Sequence, residues 1–196
     1  MQILRALTAK STLLISAICS LISLFSGPVL AVDFNSLDTA KSKITFTCKL
    51  MGSSINGSFD QFGGIVSFNP DSPEKAKADL WIALASFNAG GDELRDEAQG
   101  KEWFNSKAFP KAQFVSESIK NLGNGKLELK GKLTIKNKTQ PLTIMASYQA
   151  QGKQMTFNGS FELLRLNYDL GAGAWADTKS VANEVPVKIY LVLNSK

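Results

Sequence analysis

The 196-residue chain contains no histidine. That absence excludes Ser-His-Asp and Cys-His nucleophilic arrangements, histidine-ligated zinc or haem, and imidazole acid–base chemistry near neutral pH. Cysteine is almost as scarce, with Cys19 and Cys48 alone. No apolar run approaches the roughly 20 residues that a membrane-spanning helix needs, and no long stretch carries helical periodicity. A chain so equipped is a poor candidate for an enzyme.

What is present begins with a leader. Arg5 and Lys10 precede a largely apolar run, Leu13 to Phe25, interrupted only by serines. Gly27-Pro28 then breaks the pattern, and Val29-Leu30-Ala31 offers small residues ahead of a cut. This order of charge, apolar core and small residues predicts a secretory signal peptide over residues 1–31, cleaved after Ala31, and a periplasmic mature protein. Ile18 before Cys19 argues against a lipoprotein. Cys19 leaves with the leader, so Cys48 has no partner and no disulfide framework is expected. Residues 32–196 are long enough for one domain with a sizeable core. Removing two basic leader residues lowers the net charge from +5 to +3, which favours solubility and gives no reason to expect nucleic acid.

Period-two alternation dominates the mature chain. Ile44, Phe46, Cys48 and Leu50 interleave with polar residues, as do Leu127, Leu129, Leu133 and Ile135. Further sets are Leu142–Tyr148, Met155–Leu163 and Val185–Leu193. Gly63-Gly64, Asn69-Pro70-Asp71, Gly123-Asn124-Gly125 and Gln151-Gly152 supply turns between them. Many strands at short spacing predict an all-β sandwich or antiparallel barrel. Residues 90–114 depart from this rule: their charges fall at helical spacing, predicting a short helix near 92–99 and a loop before strand resumes after Pro110. Gly57, Gly131 and Gly159 interrupt strands, and the last two fall on the apolar register. Barrel corners and an open interior both explain such glycines.

The order of several segments resembles the YceI-like proteins. These are LDTAKSKITF (37–46), GSFDQFGGIVSF (57–68), LRDEAQGKEWFNSKAFPKAQFVSESI (94–119), GKLTIKNKTQPLTI (131–144) and the closing RLNYDLGAGAWADTKSVANEVPVKIYLVL (165–193). The resemblance implies a lipocalin-like extended antiparallel β-barrel of about eight strands, exported to the periplasm. It also implies a long apolar tunnel for a polyisoprenoid, quinone or fatty-acid derivative, with no enzymatic activity established and no cofactor. Many members place histidine where this chain has Lys41, and often another around Cys48–Leu50. Head-group contacts or metals resting on those residues are not implied here.

With a tunnel, Phe46, Phe59, Leu84, Leu133, Ile144, Phe157 and Phe161 are its expected lining, bordered by Gly159. Trp103 and Phe104 either plug the barrel end or stack on the ligand. Arg95, beside Asp96, and Arg165 are head-group candidates; a structural ion pair is the competing account of each. Cys48 is expected to be buried and inert. Asp96, Glu97 and Glu102 as hydrolytic carboxylates are outweighed by a solvated helix. Two other roles stay open: a quinone-binding redox accessory serving a membrane b-type cytochrome, and a lipid-head hydrolase. A homodimer is admitted.

Lys126, Lys130, Lys132 and Lys136 occupy even positions of one strand, and its leucines and Ile135 odd ones. A strand separates these sets onto opposite faces, so the lysines are expected outside, with Gly131 marking space within. Such a row is no stacking platform for nucleic acid. Weak docking to anionic headgroups is its remaining use.

Overall fold

In the computed structural model, residues 33–195 are described; the leader assigned to residues 1–31 lies outside them. Eleven strands build one curled antiparallel sheet. They are β1 (Phe34–Leu37), β2 (Lys43–Leu50), β3 (Ser53–Phe59), β4 (Phe62–Ser67), β5 (Lys77–Ala83), β6 (Phe87–Asn88), β7 (Lys111–Gly123), β8 (Lys126–Ile135), β9 (Lys138–Gln151), β10 (Gln154–Leu164) and β11 (Glu184–Ser195). The helix α1 (Asp92–Gln99) stands where charge spacing placed it. Gly91 precedes it, and Asp92 and Glu93 put negative charge at its positive end. Among the described residues no helix is long and apolar enough to cross a membrane.

Hydrogen-bonded neighbours run β4-β5-β7-β8-β9-β10-β11-β2-β3-β6. Only Asp60 and Gln61 separate β3 from β4, so a single bent strand serves both ends of this path. At the bend, the Asp60 N–H donates to the Ser86 carbonyl and the Ala83 N–H to that of Gln61. A second closure lies at the other end, where β1 pairs with β11 and Phe34 and Phe68 exchange backbone hydrogen bonds of 2.9 and 3.0 Å. With β3 and β4 counted as one and the short β1 and β6 set aside, eight strands surround the interior. A barrel of that size is just wide enough to be filled or to hold one small ligand.

Alternation decides what faces that interior. Along β8, Leu127, Leu133 and Ile135 are buried while Lys126, Lys130 and Lys132 are exposed. The lysines thus form an outer face, partly neutralised: Lys132 Nζ lies 2.7 Å from Glu117 and Lys130 Nζ 3.4 Å from Glu128. Near β1, the interior is packed by Phe34, Phe68, Met155 and Leu193, each no more than 3% exposed. Rings of Tyr148 and Phe157 meet Phe68 edge-on at centroid distances of 4.8 Å. Each such side chain contributes about 1.5–3 kcal/mol through burial.

Gly131 does not mark open space. A β-bulge at Ser116–Ser118 draws β7 against it, and a methyl group there would collide with the Val115 carbonyl oxygen and approach the Phe114 ring at 2.8 Å. Gly57 similarly leaves room for the Phe46 ring. Gly159 differs: a Cβ would meet only the Ile144 methyl at 3.2 Å, then Ala146 at 3.7 Å. Gly131→Ala is therefore expected to lower the thermal midpoint by about 4 °C or more, through overpacking against backbone. Gly159→Ala is expected to stay within about 2 °C of wild type. Equal midpoints in a calorimetric comparison would contradict the distinction.

Candidate functional site

Between the packed β1 end and α1, the barrel holds a partly open cavity of about 220 Å³. A cavity near 150 Å³ already accommodates a benzene molecule. Its wall presents almost no polar surface. It adjoins a smaller chamber of about 60 Å³, reaching toward Val66, Phe68 and Leu127. Leu80, Phe114, Ile144 and Ile189 line both and form the waist between them.

Strand alternation carries the expected residues to this wall. Phe46 on β2, Phe59 on β3, Leu133 on β8, Ile144 on β9 and Phe161 on β10 line the larger chamber, with Leu84 from the turn after β5. Trp103 and Phe104, from the loop after α1, line it too. Phe157 and Gly159 belong to the smaller chamber instead. Phe46, Phe59, Phe87 and Phe104 form one aromatic cluster, with centroids 5.2–5.9 Å apart. Each such pair contributes about 0.5–1.5 kcal/mol beyond burial, so this side of the chamber is a rigid wall.

Phe87 and Phe114 were not anticipated. Extending the alternation Ala112–Phe114 beyond Pro110 would have found Phe114. Phe87 lies in a two-residue strand that carries no pattern. Leu94, Glu97 and Ala98 show α1 to be a cover over one end of the larger chamber, beside Leu50, Trp175 and Val181.

Neither arginine is placed as a free head-group donor. Arg95 points away from the wall, and its side chain, 42% exposed, pairs with Asp92 one turn back. Arg165 touches the chamber but is only 2% exposed. Its Nε donates to the Ala182 carbonyl at 3.0 Å, and Nη1 to those of Leu170 (2.6 Å) and Gly171 (3.3 Å). Nη2 donates to the carbonyls of Trp175 (2.8 Å) and Val181 (2.7 Å). All five donors of the guanidinium are thereby used. Burial lowers its pKa from the ordinary arginine value. The residue ties the loop 170–182 to the barrel end, with its charge spread over carbonyl dipoles.

Burial also pushes the Cys48 thiol up and the Tyr168 phenol up to about 12. Cys48 lines the chamber half-buried and is protonated at neutral pH. Asp96 and Glu97 are exposed on α1, as a solvated helix requires. What the arrangement can do is exclude water from an apolar molecule; no nucleophile is activated at the wall. Arg165→Met should orphan five carbonyls and cost about 3 kcal/mol or more. The expected loss of thermal midpoint is about 6 °C or more. Arg165→Lys should not restore it, because an ammonium carries three donors and no planar fork.

Known proteins match this picture. The YceI-like domain matches residues 36–193. A UPF0312 protein of Shewanella oneidensis is 31% identical over 134 residues, covering 67% of this chain and 70% of that protein. Among solved structures, Burkholderia cenocepacia BcnA superposes with a TM-score of 0.78 at 37% identity, over 80% of this chain and 99% of that one. The Campylobacter jejuni YceI protein superposes with a TM-score of 0.67 at 21% identity, over 71% of this chain and 84% of that one, a likeness of fold alone. A curled antiparallel β-barrel with one short helix, matched along nearly all its described length, makes the chain a member of the YceI-like family.

Proposed function

We propose that the protein is a non-catalytic binder of a long-chain amphiphilic lipid, a carrier or sequestering protein that works in the periplasm after loss of residues 1–31. The observation that carries this reading is the carbon-lined cavity of about 220 Å³ continuing past the Phe114–Ile144 waist into a second chamber. Each buried methylene contributes about 0.8 kcal/mol. A chain of several isoprene or acyl units therefore supplies ample driving force before ordering costs are subtracted. Polar groups are then needed only to orient the head. The absence of histidine supports binding rather than turnover. The outer lysines favour, at most, transient contact with an anionic membrane surface, each contributing about 1 kcal/mol.

Protein recovered from a bacterial periplasm is expected to carry a stoichiometric lipid in native mass spectrometry. Val187, 9% exposed, lines the larger chamber, and Val187→Trp should lower lipid occupancy about ten-fold or more while the barrel stays folded. A consistently empty wild-type protein would sink the reading. The same spectrum tests export, since cleavage after Ala31 leaves 196 less 31, or 165, residues beginning at Val32. An intact mass that still includes residues 1–31 would count against it.

A further inference from the structure

The wall of the larger chamber holds one polar group that the protein does not satisfy. Trp103 lines the chamber, and its indole Nε1 is buried with no hydrogen-bond partner among the described residues. Leaving a buried donor unpaired costs on the order of 1–3 kcal/mol, so an orphan of this kind calls for an explanation. The neighbouring polar residues offer none. Gln113 is exposed and donates to Asp79 at 2.6 Å, Glu97 is exposed, and Arg165 is saturated by carbonyls.

Two groups flank the ring. The Arg165 guanidinium carbon lies 5.4 Å from the centroid of the Trp103 ring, and Trp175 stands 6.0 Å away. A cation against the π face draws electron density from the indole and makes its N–H a better donor. Trp103 lines only the larger chamber, at the end covered by α1 and the loop that carries Trp175; the smaller chamber at the far side of the waist is lined by apolar residues with Lys77 as the one charged exception. The site therefore has polarity along its length, with a donor at one end and hydrocarbon at the other.

We propose that Trp103 anchors the ligand by a rotation of its indole that brings the buried N–H to the chamber, where it donates to a neutral oxygen acceptor, a carbonyl, ester or ether, at the point where a bound amphiphile's head meets its apolar chain. The chain then runs past Phe114 and Ile144 toward the smaller chamber. This rests on the lipid-binding reading above and narrows it. A neutral acceptor is favoured over an anion for two reasons. The one cationic residue in the wall of the larger chamber, Arg165, has its donors taken by carbonyls, so a carboxylate or phosphate buried at that end would lack a charged partner. Segment 92–102 also places five acidic residues (Asp92, Glu93, Asp96, Glu97, Glu102) against two basic ones (Arg95, Lys101), a net −3 beside that end.

The experiment uses three probes of similar length: methyl laurate, pentadecane and laurate. With delipidated wild-type protein labelled with nitrogen-15, methyl laurate should move the Trp103 indole proton downfield, and pentadecane should not. The ester should bind about three- to ten-fold tighter than the alkane, the range one net hydrogen bond supplies, and Trp103→Phe should abolish that preference. The shift and the preference are read on wild-type protein, so they stand even where Trp103→Phe fails to fold. An unmoved indole signal, or equal binding of ester and alkane, overturns the anchor while leaving lipid binding intact. Laurate binding tighter than its methyl ester overturns the neutral acceptor. Failure of all three to bind overturns the lipid-binding reading and the anchor together.

Discussion

Backbone hydrogen bonding around a closed perimeter is the constraint on which everything else in this protein rests. Once β3 turns into β4 at Asp60–Gln61 and Phe34 meets Phe68, the sheet's ends are tied together. Every strand must then send alternate side chains into one interior of fixed width. The volumes of those side chains decide whether that interior is solid. Phe34, Phe68, Met155 and Leu193 fill it at one end. Toward the other it is hollow, with Ala112, Ala98, Val187 and Cys48 in the same wall as the aromatic cluster of Phe46, Phe59, Phe87 and Phe104.

Function follows from how the hollow end is finished. Strands alone would leave it open to water, and the protein closes it with α1 and the loop 170–182. That loop buries Leu170 and Val181 and sets Trp175 against Trp103. Arg165 also holds it, gathering carbonyls that would otherwise face the barrel end unpaired. The same guanidinium lies against Trp103, so the group that secures the loop also flanks the neighbouring indole. Support of the loop and the surroundings of the proposed anchor thus depend on one side chain.

Much of the barrel was legible because period two survives in β2 and in β8 to β11, where Phe46, Leu133, Ile144 and Phe161 alternate with polar residues. β3 was legible as a wall strand only at Phe59, since Ile55 is its only aliphatic residue and Gly57 occupies a position shaped by the Phe46 ring. Gly131 was read with the wrong sign. A glycine without a side chain looks the same in sequence whether it borders a void or a bulge, and only the partner strand distinguishes them. Arg165 was similarly opaque, because its acceptors are backbone carbonyls that leave no trace in residue type. The site's lining was visible in outline, but its division at the Phe114–Ile144 waist and the unsatisfied Trp103 N–H are properties of packing.

The pairing of β2 with β11 sets an order of events. Ile189 lies beside Ile44, 145 positions away along the chain. Contacts of such sequence separation form late, because loop entropy is lost before they repay it. The seam between β2 and β11 cannot form until Glu184–Ser195 is available. A chain that stops short of Glu184 thus has walls but no closed interior.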